Sequence, residues 1–279
     1  MLEKTWFITG TSSGFGRQMT EQLLARGDRV AATARKPETL ADLTQKFGDR
    51  LWIRRLDVRD TAELRRVVAE AAETLGRIDV VVSNAGYGLF GAAEGLSDQQ
   101  IDDELATNLI APIQLVRAFV PVLRSQGGGR IVQISTYGGQ VAMPGGSLYH
   151  ASKWGAEGFF EAMSKELAPF NIGVTIVEPG GARTGFRSSG AQVGKKLAAY
   201  AETPVAHVHK ILEQEAFASG GDPAVMAAMM IEGAESEPAP LRLVLGSDAY
   251  AALKQAVAAR LADIEPQGKN ASRSDIAIR

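Results

Sequence analysis

The sequence predicts an α/β protein built on one doubly wound parallel sheet, with helices on both faces. Short β-prone runs alternate with helical patterns along most of the 279 residues, and the connections are short. The first run, residues 4–9, leads directly into a glycine-rich turn and then a helix. Residues 78–83 form a continuously apolar run, which is typical of a strand covered on both faces. About seven strands in a single domain are expected.

The composition excludes several classes of protein. Net charge is −2 and hydrophobic residues make up 45%, so we expect a soluble cytoplasmic protein with no nucleic-acid or membrane partner. There is no cysteine, which excludes disulfides and cysteine nucleophiles. His207 and His209 would face different ways on a helix, so no metal site is predicted. Residues 1–265 are predicted to form the domain and residues 266–279 a polar tail.

The glycine-rich turn predicts a site for a phosphate group. Gly10, Gly14 and Gly16 have the spacing G-x-x-x-G-x-G between the first strand and the first helix. Glycine lets the backbone turn sharply and approach a pyrophosphate closely, and the helix N-terminus offers it free N–H groups. Ser12 and Ser13 add hydroxyl donors within the turn. The turn therefore favours a dinucleotide ligand.

The end of the second strand, residues 29–35, indicates which dinucleotide. In dinucleotide-binding folds an acidic residue near this point binds the ribose hydroxyls of NAD, whereas an arginine accommodates the 2′-phosphate of NADP. Here the strand ends at Arg35 and Lys36 without a carboxylate. We therefore expect NADP(H) to be preferred over NAD(H), because the guanidinium fork suits a phosphate. A solvated arginine at a strand end is the alternative interpretation.

Two more strand ends carry polar or small residues. The third strand, residues 51–56, is followed by Asp57 and Val58. Asp57 could accept from the amino group of an adenine, or it could simply cap the amphipathic helix predicted over residues 61–75. The strand at 78–83 runs into Asn84, Ala85 and Gly86, a tight turn at the crevice where open α/β sheets bind ligands.

A long helical region over residues 97–123 contains Asn108. Ser97 is a candidate N-cap, with Gln100 placed to complete a capping box. Asparagine is not a preferred residue in the middle of a helix. A buried amide there could hold a kink or an ordered water, while an exposed surface asparagine is the plainer interpretation.

A tyrosine and a lysine are placed to handle a proton. Tyr149 and Lys153 are four residues apart on a helix predicted over residues 147–167, so their side chains lie on one face. A lysine ammonium lowers the pKa of a neighbouring phenol, which allows proton exchange with an alcohol or carbonyl. Ser135 ends the fifth strand, and a glycine-rich loop can bring its hydroxyl against Tyr149. An accidental surface pair is the alternative for this spacing alone.

The last third of the chain is less regular. A sixth strand is predicted over residues 172–177 and a seventh over 241–245. A helix over residues 247–262 follows, with Ser247 as its cap. Residues 182–240 between these strands are predicted to form a substrate-binding or lid region. Its methionines could line an adaptable pocket or pack between helices.

Taken together, residues 4–184 resemble the short-chain dehydrogenase/reductase family, in its single-domain branch with a Rossmann-type fold. Residues 9–16 look like its T-G-x-x-x-G-x-G turn, and residues 84–86 look like its N-A-G segment. Residues 179–184 are similar to its P-G-x-x-x-T segment at the nicotinamide. The resemblance implies a catalytic set formed by Asn108, Ser135, Tyr149 and Lys153. It implies a cofactor-binding set formed by Gly10, Ser12, Ser13, Gly14, Phe15, Gly16, Arg35, Asp57, Val58, Asn84, Ala85, Gly86, Tyr149, Lys153, Pro179, Gly180 and Thr184.

The resemblance also implies a reaction, the interconversion of a carbonyl and an alcohol by hydride transfer with NADP(H). Tyr149 would be the general acid, Lys153 would lower its pKa, and Ser135 would bind the substrate oxygen. Asn108 would hold a water of a proton relay. Helices at 98–123 and 147–167 could pair two subunits, giving a homodimer or homotetramer.

Mostly apolar residues lie near these catalytic parts, which favours a ketoreductase acting on a lipophilic ketone or aldehyde. These residues are Tyr87, Phe90, Val141, Met143, Leu148 and Phe186. Two alternatives stay open. One is a non-catalytic dinucleotide sensor on the same fold. The other is an epimerase or dehydratase with bound cofactor.

Overall fold

The computed structural model describes residues 3–184, 186, 190–213 and 220–276. Two sheets are formed within them, a large one of seven strands and a small one of two. The strands are β1 (Thr5–Thr9), β2 (Arg29–Ala34), β3 (Leu51–Arg55), β4 (Val80–Ser83), β5 (Gly88–Phe90), β6 (Gly129–Ile134), β7 (Ile172–Pro179), β8 (Ala191–Val193) and β9 (Arg242–Leu245).

Helices connect nearly all of the strands. The α-helices are α1 (Gly14–Arg26), α2 (Ala41–Phe47), α3 (Thr61–Leu75), α4 (Asp98–Leu105), α5 (Ala111–Ser125), α6 (Ser147–Leu167), α7 (Pro204–Glu213), α8 (Pro223–Glu235), α9 (Ser247–Ile264) and α10 (Gly268–Ala271). One π-helical turn, Ala106–Ile110, joins α4 to α5 without a break.

The large sheet is parallel throughout, in the order β3-β2-β1-β4-β6-β7-β9. The chain leaves β1 toward one edge of the sheet and leaves β4 toward the other. This reversal opens a crevice at the carboxyl ends of β1 and β4, where such sheets bind ligands. The predicted class, a single Rossmann-type domain with about seven parallel strands, is confirmed.

Two apolar clusters, one on each face of the sheet, form the core. Trp6 and Ile8 of β1 point to the face covered by α1 and α8. Phe7 points to the opposite face, covered by α3, α5 and α6, and meets Phe119 edge-on at 4.7 Å between ring centres. Alternate side chains along one strand therefore enter different layers, as the pleat requires. This double coverage explains why the strands read as continuous apolar runs.

The structure differs from the sequence prediction at several elements. The small sheet of β5 and β8 was not predicted, because three-residue strands carry almost no periodic signal. Ser247 is the first residue of α9 rather than its cap, and Gly246 takes the cap position. Residues 265–274 form short exposed helical turns. Part of the 182–240 region, residues 185, 187–189 and 214–219, lies outside the described chain.

Two of the methionines in this region pack in the core. Met226 and Met230 of α8 are buried against the layer that holds α1, whereas Met229 is 42% exposed. The interpretation of ordinary helix packing is confirmed for the two buried side chains.

One helical segment of the described chain, Asp98–Ser125, is long and apolar enough by length and composition to cross a membrane. Its Phe119 lies in the core, and its Glu104 and Asn108 are buried among polar partners. Core helices of soluble proteins have the same length and composition, so the segment is weak support for a membrane role.

Candidate active site

The phosphate turn lies between β1 and α1, at the mouth of the crevice. The Gly10 and Thr11 amides donate to Thr33 O at 3.0 and 3.1 Å, which closes the turn against β2. Ser13 precedes α1 in an extended conformation and forms no side-chain cap. Ser12 and Ser13 are exposed. The first amides of α1 and two hydroxyls therefore remain available to an anion.

Close backbone approach explains why glycines form this turn. Gly10 has a φ of +71°, and a Cβ there would lie 2.9 Å from the Ala85 Cα. A Cβ on Gly16 would lie 2.4 Å from Gly10 O and 2.5 Å from Asn84 Nδ2. The Asn84 amide donates to Thr9 O at 2.9 Å and to Gly10 O at 3.0 Å. The structure thus brings the predicted turn and the residues 84–86 segment together.

The residues 179–184 segment closes over the same turn. A Cβ on Gly14 would lie 3.8 Å from the Thr184 Cβ, so these two predicted residues face each other. Asp248 of α9 holds the segment from behind by accepting from the Gly181 amide at 2.7 Å. Gly180 has no room for a side chain, because a Cβ there would lie 2.1 Å from Asp248 Oδ1. Pro179 ends β7 and is buried.

Arg35 is exposed at the end of β2. It forms no hydrogen bond or ion pair with any described residue, and its charge contributes to lowering the pKa of the Asp57 carboxyl. The larger cause of that lowered pKa is a side-chain hydrogen bond from Arg59, whose ion pair with Asp57 measures 2.7 Å. Val58 is half-buried against the core. At this end of the crevice the structure therefore places Arg35, which has no ion pair with a described residue, and Asp57, whose carboxylate is paired with Arg59.

Tyr149 and Lys153 lie on one face of α6 and are both nearly buried. Tyr149 is 9% exposed and Lys153 5%. Lys153 Nζ donates to Ile134 O at 3.1 Å and lies 5.9 Å from the Tyr149 ring centre. Burial lowers the pKa of Lys153 to about 8, although the negative charges of Glu104 and Glu157 oppose the decrease. A phenol and an amine are thus enclosed side by side on this face of α6.

Asn108 is fully buried in the π-helical turn. Its amide oxygen accepts from Tyr87 N at 3.1 Å, and its amide nitrogen donates to Tyr87 O at 2.7 Å. The same nitrogen donates to Glu104 Oε1 at 2.8 Å. The structure therefore confirms a buried amide, and the exposed-surface alternative is wrong. The extra residue of the π turn points the amide at the crevice wall instead of at solvent.

The structure encloses the Ser135 hydroxyl. Ser135 shares the face of β6 that packs on α6, and its oxygen is enclosed with no hydrogen bond of normal geometry. A Cβ on Gly139 would lie 2.8 Å from this oxygen and 2.9 Å from Glu157 Oε1, so the hydroxyl is beside a buried carboxylate. The contact of Ser135 with a substrate stays a prediction.

Thr136 is the next residue and is half-buried at the crevice edge. Its hydroxyl lies 3.4 Å from Pro179 O and accepts from Gly138 N at 3.3 Å. Sequence reasoning missed this residue because either of two adjacent hydroxyl residues could end the strand. Both residues follow Ile134, the last residue of β6, so the alternation of the strand does not choose between them. Only the tertiary structure shows that their surroundings differ.

Aromatic side chains form the walls around Tyr149. The Phe90 ring centre lies 5.6 Å and the Phe186 ring centre 5.9 Å from that of Tyr149. Tyr87 is half-buried, and burial raises the pKa of its phenol to about 12. Phe90 belongs to β5, which pairs with β8, so the unpredicted small sheet fixes one wall. The loop residues Val141 and Met143 and the helix residue Leu148 are partly exposed.

His150 fastens the loop between Thr136 and α6. Its Nδ1 lies 2.8 Å from Gly138 O, and its Nε2 accepts from Met143 N at 3.1 Å. These two partners require the neutral ring with its proton on Nδ1. Burial lowers the pKa of His150, which favours the same form. No pattern in the sequence marked this residue as part of the site.

Comparison with known proteins identifies the class. A family model described as short chain dehydrogenase matches residues 4–193. Oxidoreductase BOA17 of Botryotinia fuckeliana is 37% identical over 252 residues, covering 89% of this chain and 90% of that protein. A short-chain dehydrogenase from Streptomyces avermitilis matches with a TM-score of 0.91 and 37% identity, covering 98% of both chains. The chain belongs to the short-chain dehydrogenase family and is an oxidoreductase of that family.

Two more distant structures contain a dinucleotide. A short-chain dehydrogenase/reductase from Burkholderia phymatum, 22% identical with a TM-score of 0.81, is in complex with NAD and covers 95% of each chain; at this identity it shows the fold alone. Serine dehydrogenase, 25% identical with a TM-score of 0.72 over 86% of this chain and 94% of its own, is complexed with NADP⁺. The family likeness supports a nicotinamide dinucleotide without choosing between NAD and NADP.

The residues present fit such a cofactor. The turn at Gly10 and Gly16 leaves no space for a Cβ, and the amides at the start of α1 have no side-chain cap. Thr184 faces Gly14 across the turn, and the Lys153 ammonium lies deeper in the crevice. A groove with free amides at one end and a buried cation at the other suits a diphosphate and a ribose.

Proposed function

We propose that this protein is an NADP(H)-preferring oxidoreductase that interconverts a carbonyl and an alcohol, with reduction of lipophilic ketones or aldehydes as its main activity. The observation that carries the proposal is the Tyr149–Lys153 pair, buried at the end of a crevice whose other end is a phosphate turn. A tyrosine–lysine pair on the surface would stay hydrated. Burial removes water from the lysine ammonium and thereby lowers the pKa of the lysine.

In this proposal each residue of the chain has one task. The bound nicotinamide would supply or accept the hydride. Tyr149 gives its phenolic proton to the carbonyl oxygen in reduction and takes it back in oxidation. The Lys153 ammonium stabilises the phenolate that Tyr149 leaves behind. The Thr136 hydroxyl, rather than that of Ser135, donates to the substrate oxygen as charge develops on it.

Asn108 holds the segment that carries the crevice wall. The oxygen and the nitrogen of its side-chain amide both form hydrogen bonds with the backbone of Tyr87, which directly follows Gly86. A Cβ on Gly86 would lie 3.0 Å from Asn108 Oδ1 and 3.7 Å from Lys153 Nζ, so the amide and the ammonium share one wall. In the proposed reaction this wall positions the proton-handling pair and a relay water behind it.

NADP(H) is proposed over NAD(H) because of Arg35. Its guanidinium has no partner among the described residues, and β2 ends without a carboxylate. Ser12 and Ser13 are exposed beside it on the phosphate turn. A 2′-phosphate would give the guanidinium charge-assisted hydrogen bonds, whereas the ribose of NAD would meet no matching acceptor.

The lipophilic substrate is proposed from the walls of the site. The ring centres of Phe90 and Phe186 lie 5.6 and 5.9 Å from the ring centre of Tyr149. Tyr87, Val141 and Leu148 extend this apolar lining. An apolar substrate gains from burial against such walls, whereas an anion loses hydration there. We also propose a cytoplasmic homodimer or homotetramer through α5, the π turn before it and α6, where Ile110 of the turn and Trp154 of α6 are 45% and 40% exposed.

Steady-state assays of a panel of ketones, aldehydes and alcohols with NADPH and NADH test the proposal. The wild type should reduce apolar carbonyls with stoichiometric NADPH consumption. Tyr149→Phe should lose about 10²- to 10⁴-fold in kcat, because the proton donor is removed, with NADPH affinity changed less than about 2-fold. Near-normal turnover in Tyr149→Phe would refute the role of Tyr149. Cofactor binding without turnover of any panel member would favour a sensor, and turnover without net NADPH oxidation would favour an epimerase or dehydratase.

A further inference from the structure

Glu104 is a buried carboxyl that the proposed reaction does not use. It lies in the last turn of α4 and has no exposed surface. Its Oε1 accepts from Asn108 Nδ2 at 2.8 Å and lies 3.4 Å from Ser152 Oγ. Its Oε2 has no hydrogen-bond partner in the described chain. A carboxyl enclosed in this way is costly unless a charge or a function compensates.

The lysine of the proton-handling pair lies close behind this carboxyl. Ser152, which contacts Glu104, directly precedes Lys153 on α6. Asn108, which donates to Glu104, shares a wall with Lys153 Nζ at Gly86. The Asn108 amide and the Ser152 hydroxyl therefore lie between the Glu104 carboxyl and the Lys153 ammonium. The negative charge of Glu104 raises the pKa of Lys153 against the effect of burial, and the positive charge of Lys153 opposes the raised pKa, about 7, of Glu104.

The other charged groups near Glu104 point elsewhere. Asp103, the preceding residue, forms an ion pair with Arg59 at 2.6 Å on the outer side of α4. Tyr87 faces Glu104 from the segment before β5, and its phenol stays neutral. Glu157 also acts on Lys153, from one turn further along the same face of α6, where it is bound to Arg242 at 3.1 Å. Among the described residues, Lys153 is thus the cation that interacts with the Glu104 charge.

We propose that Glu104 is a positioning residue for the proton-handling pair: it fixes the Asn108 amide from behind and supplies the buried counter-charge that keeps Lys153 an ammonium. This inference rests on the proposed function for its catalytic meaning, but the electrostatic coupling is a property of the folded chain alone. Removing the charge should make Lys153 lose its proton at a lower pH. The alkaline limit of turnover should move down with it, since a neutral lysine no longer stabilises the tyrosinate.

The test measures the titration of Lys153 by NMR in protein labelled with ¹³C at the lysine ε-carbons, with Lys153→Met assigning the signal. Glu104→Gln keeps an oxygen that accepts from Asn108 but removes the charge. Its Lys153 midpoint should fall by about 0.5 to 1 pH unit. Asp103→Asn, which removes the same charge one residue away, should leave the midpoint within about 0.2 unit because that charge is solvated. Glu104→Asp, which restores the charge, should recover most of the shift.

An unchanged Lys153 midpoint in Glu104→Gln would overturn the inference. If that variant does not fold, the wild-type curve decides. It should show a small early step that coincides with the ionisation of Glu104, observed from its own ¹³C-labelled carboxyl, and a single-step curve would refute the coupling. Failure of the proposed function looks different: the wild type would turn over no carbonyl while the NMR shift persisted. A loss of kcat in Glu104→Gln without movement of the alkaline limit would mean a merely structural role.

Discussion

At the scale of single residues, two adjacent hydroxyls on β6 have different surroundings. Ser135 is enclosed beside the Glu157 carboxylate, whereas Thr136 lies half-buried next to Pro179 O. Both residues follow Ile134, the last residue of β6, so the packing of the loop rather than the strand repeat separates them. On α6 the helical repeat separates the buried Lys153 from the exposed Lys165.

Replacement of the two hydroxyls separately should distinguish them. Thr136→Val removes the hydroxyl with little change of shape, and kcat should fall about 10²- to 10³-fold because a donor to the developing oxyanion is lost. KM should change much less. Ser135→Ala should retain kcat within about 3-fold. The measurement is steady-state kinetics with one apolar ketone, and the reverse pattern would return the role to Ser135.

Arg35→Ala should discriminate between the two cofactors. Loss of charge-assisted hydrogen bonds to a 2′-phosphate should weaken NADPH about 10- to 100-fold, while NADH changes less than about 3-fold. Arg55 lies opposite Ala34 in the β2–β3 register, on the same sheet edge, so Arg55→Ala is a matched control for a general charge effect. Fluorescence titration gives both affinities. Equal losses for NADPH and NADH would contradict the 2′-phosphate role.

At the scale of elements, the crevice depends on junctions as much as on strands. The π turn Ala106–Ile110 directs Asn108 inward, and the small sheet of β5 and β8 holds Phe90 against Tyr149. The phosphate turn depends on the absence of a side chain at Gly16, where β1, α1 and the Asn84 amide meet. Each junction places one functional group, and none of them has the regular periodicity that identifies a helix or strand.

A pair of glycine-to-alanine substitutions tests the packing of the phosphate turn. Gly16→Ala adds a Cβ 2.4 Å from Gly10 O, so unfolding free energy and NADPH affinity should both fall, the latter by more than about 10-fold. Gly158→Ala adds a Cβ on α6 with nothing within 4 Å, and should stabilise the protein by up to about 1 kcal/mol through helix propensity. Denaturant unfolding and cofactor titration measure both effects. Normal NADPH binding by Gly16→Ala would remove the turn from the site.

At the scale of the whole molecule, a partly buried polar network joins β9, the last strand, to α6. Arg242 of β9 bonds Glu157 at 3.1 Å and Glu161 at 2.8 Å on α6, and lies 3.6 Å from Glu178 of β7. Gln140, from the loop after Thr136, donates to Glu178. The network therefore links the loop of the site to strands far apart in sequence.

This network predicts an unusual dependence of stability on pH. Burial raises the pKa of Glu178 from 4.5 to about 7, and Gln140 only partly opposes it. The folded state then binds more protons than the unfolded state, so this contribution is fully present below about 4.5 and is lost as pH rises through about 7. Glu178→Gln should flatten the fall in unfolding free energy over that range. Denaturant unfolding across it measures the effect, with Glu73→Gln, an exposed carboxyl on α3, as control; an unchanged slope in Glu178→Gln would refute it.

The sequence by itself determined the frame of the fold and the spacing of the candidate site residues. The alternation of strands and helices, the glycine turn and the apolar run at 78–83 depend on local chemistry, which is written in consecutive residues. The spacing of Tyr149 and Lys153 is also local, because residues four positions apart on a helix lie on the same face.

The tertiary structure alone decided which side chains are enclosed together. Ser135 or Thr136, the partners of Asn108, the neutral His150 and the counter-charge at Glu104 all depend on which surfaces meet. The physical reason is that burial and electrostatics act between residues distant in the chain, where periodicity carries no information. Glu104 shows this most directly, since its carboxyl becomes a partner of Lys153 only when α4 packs against α6.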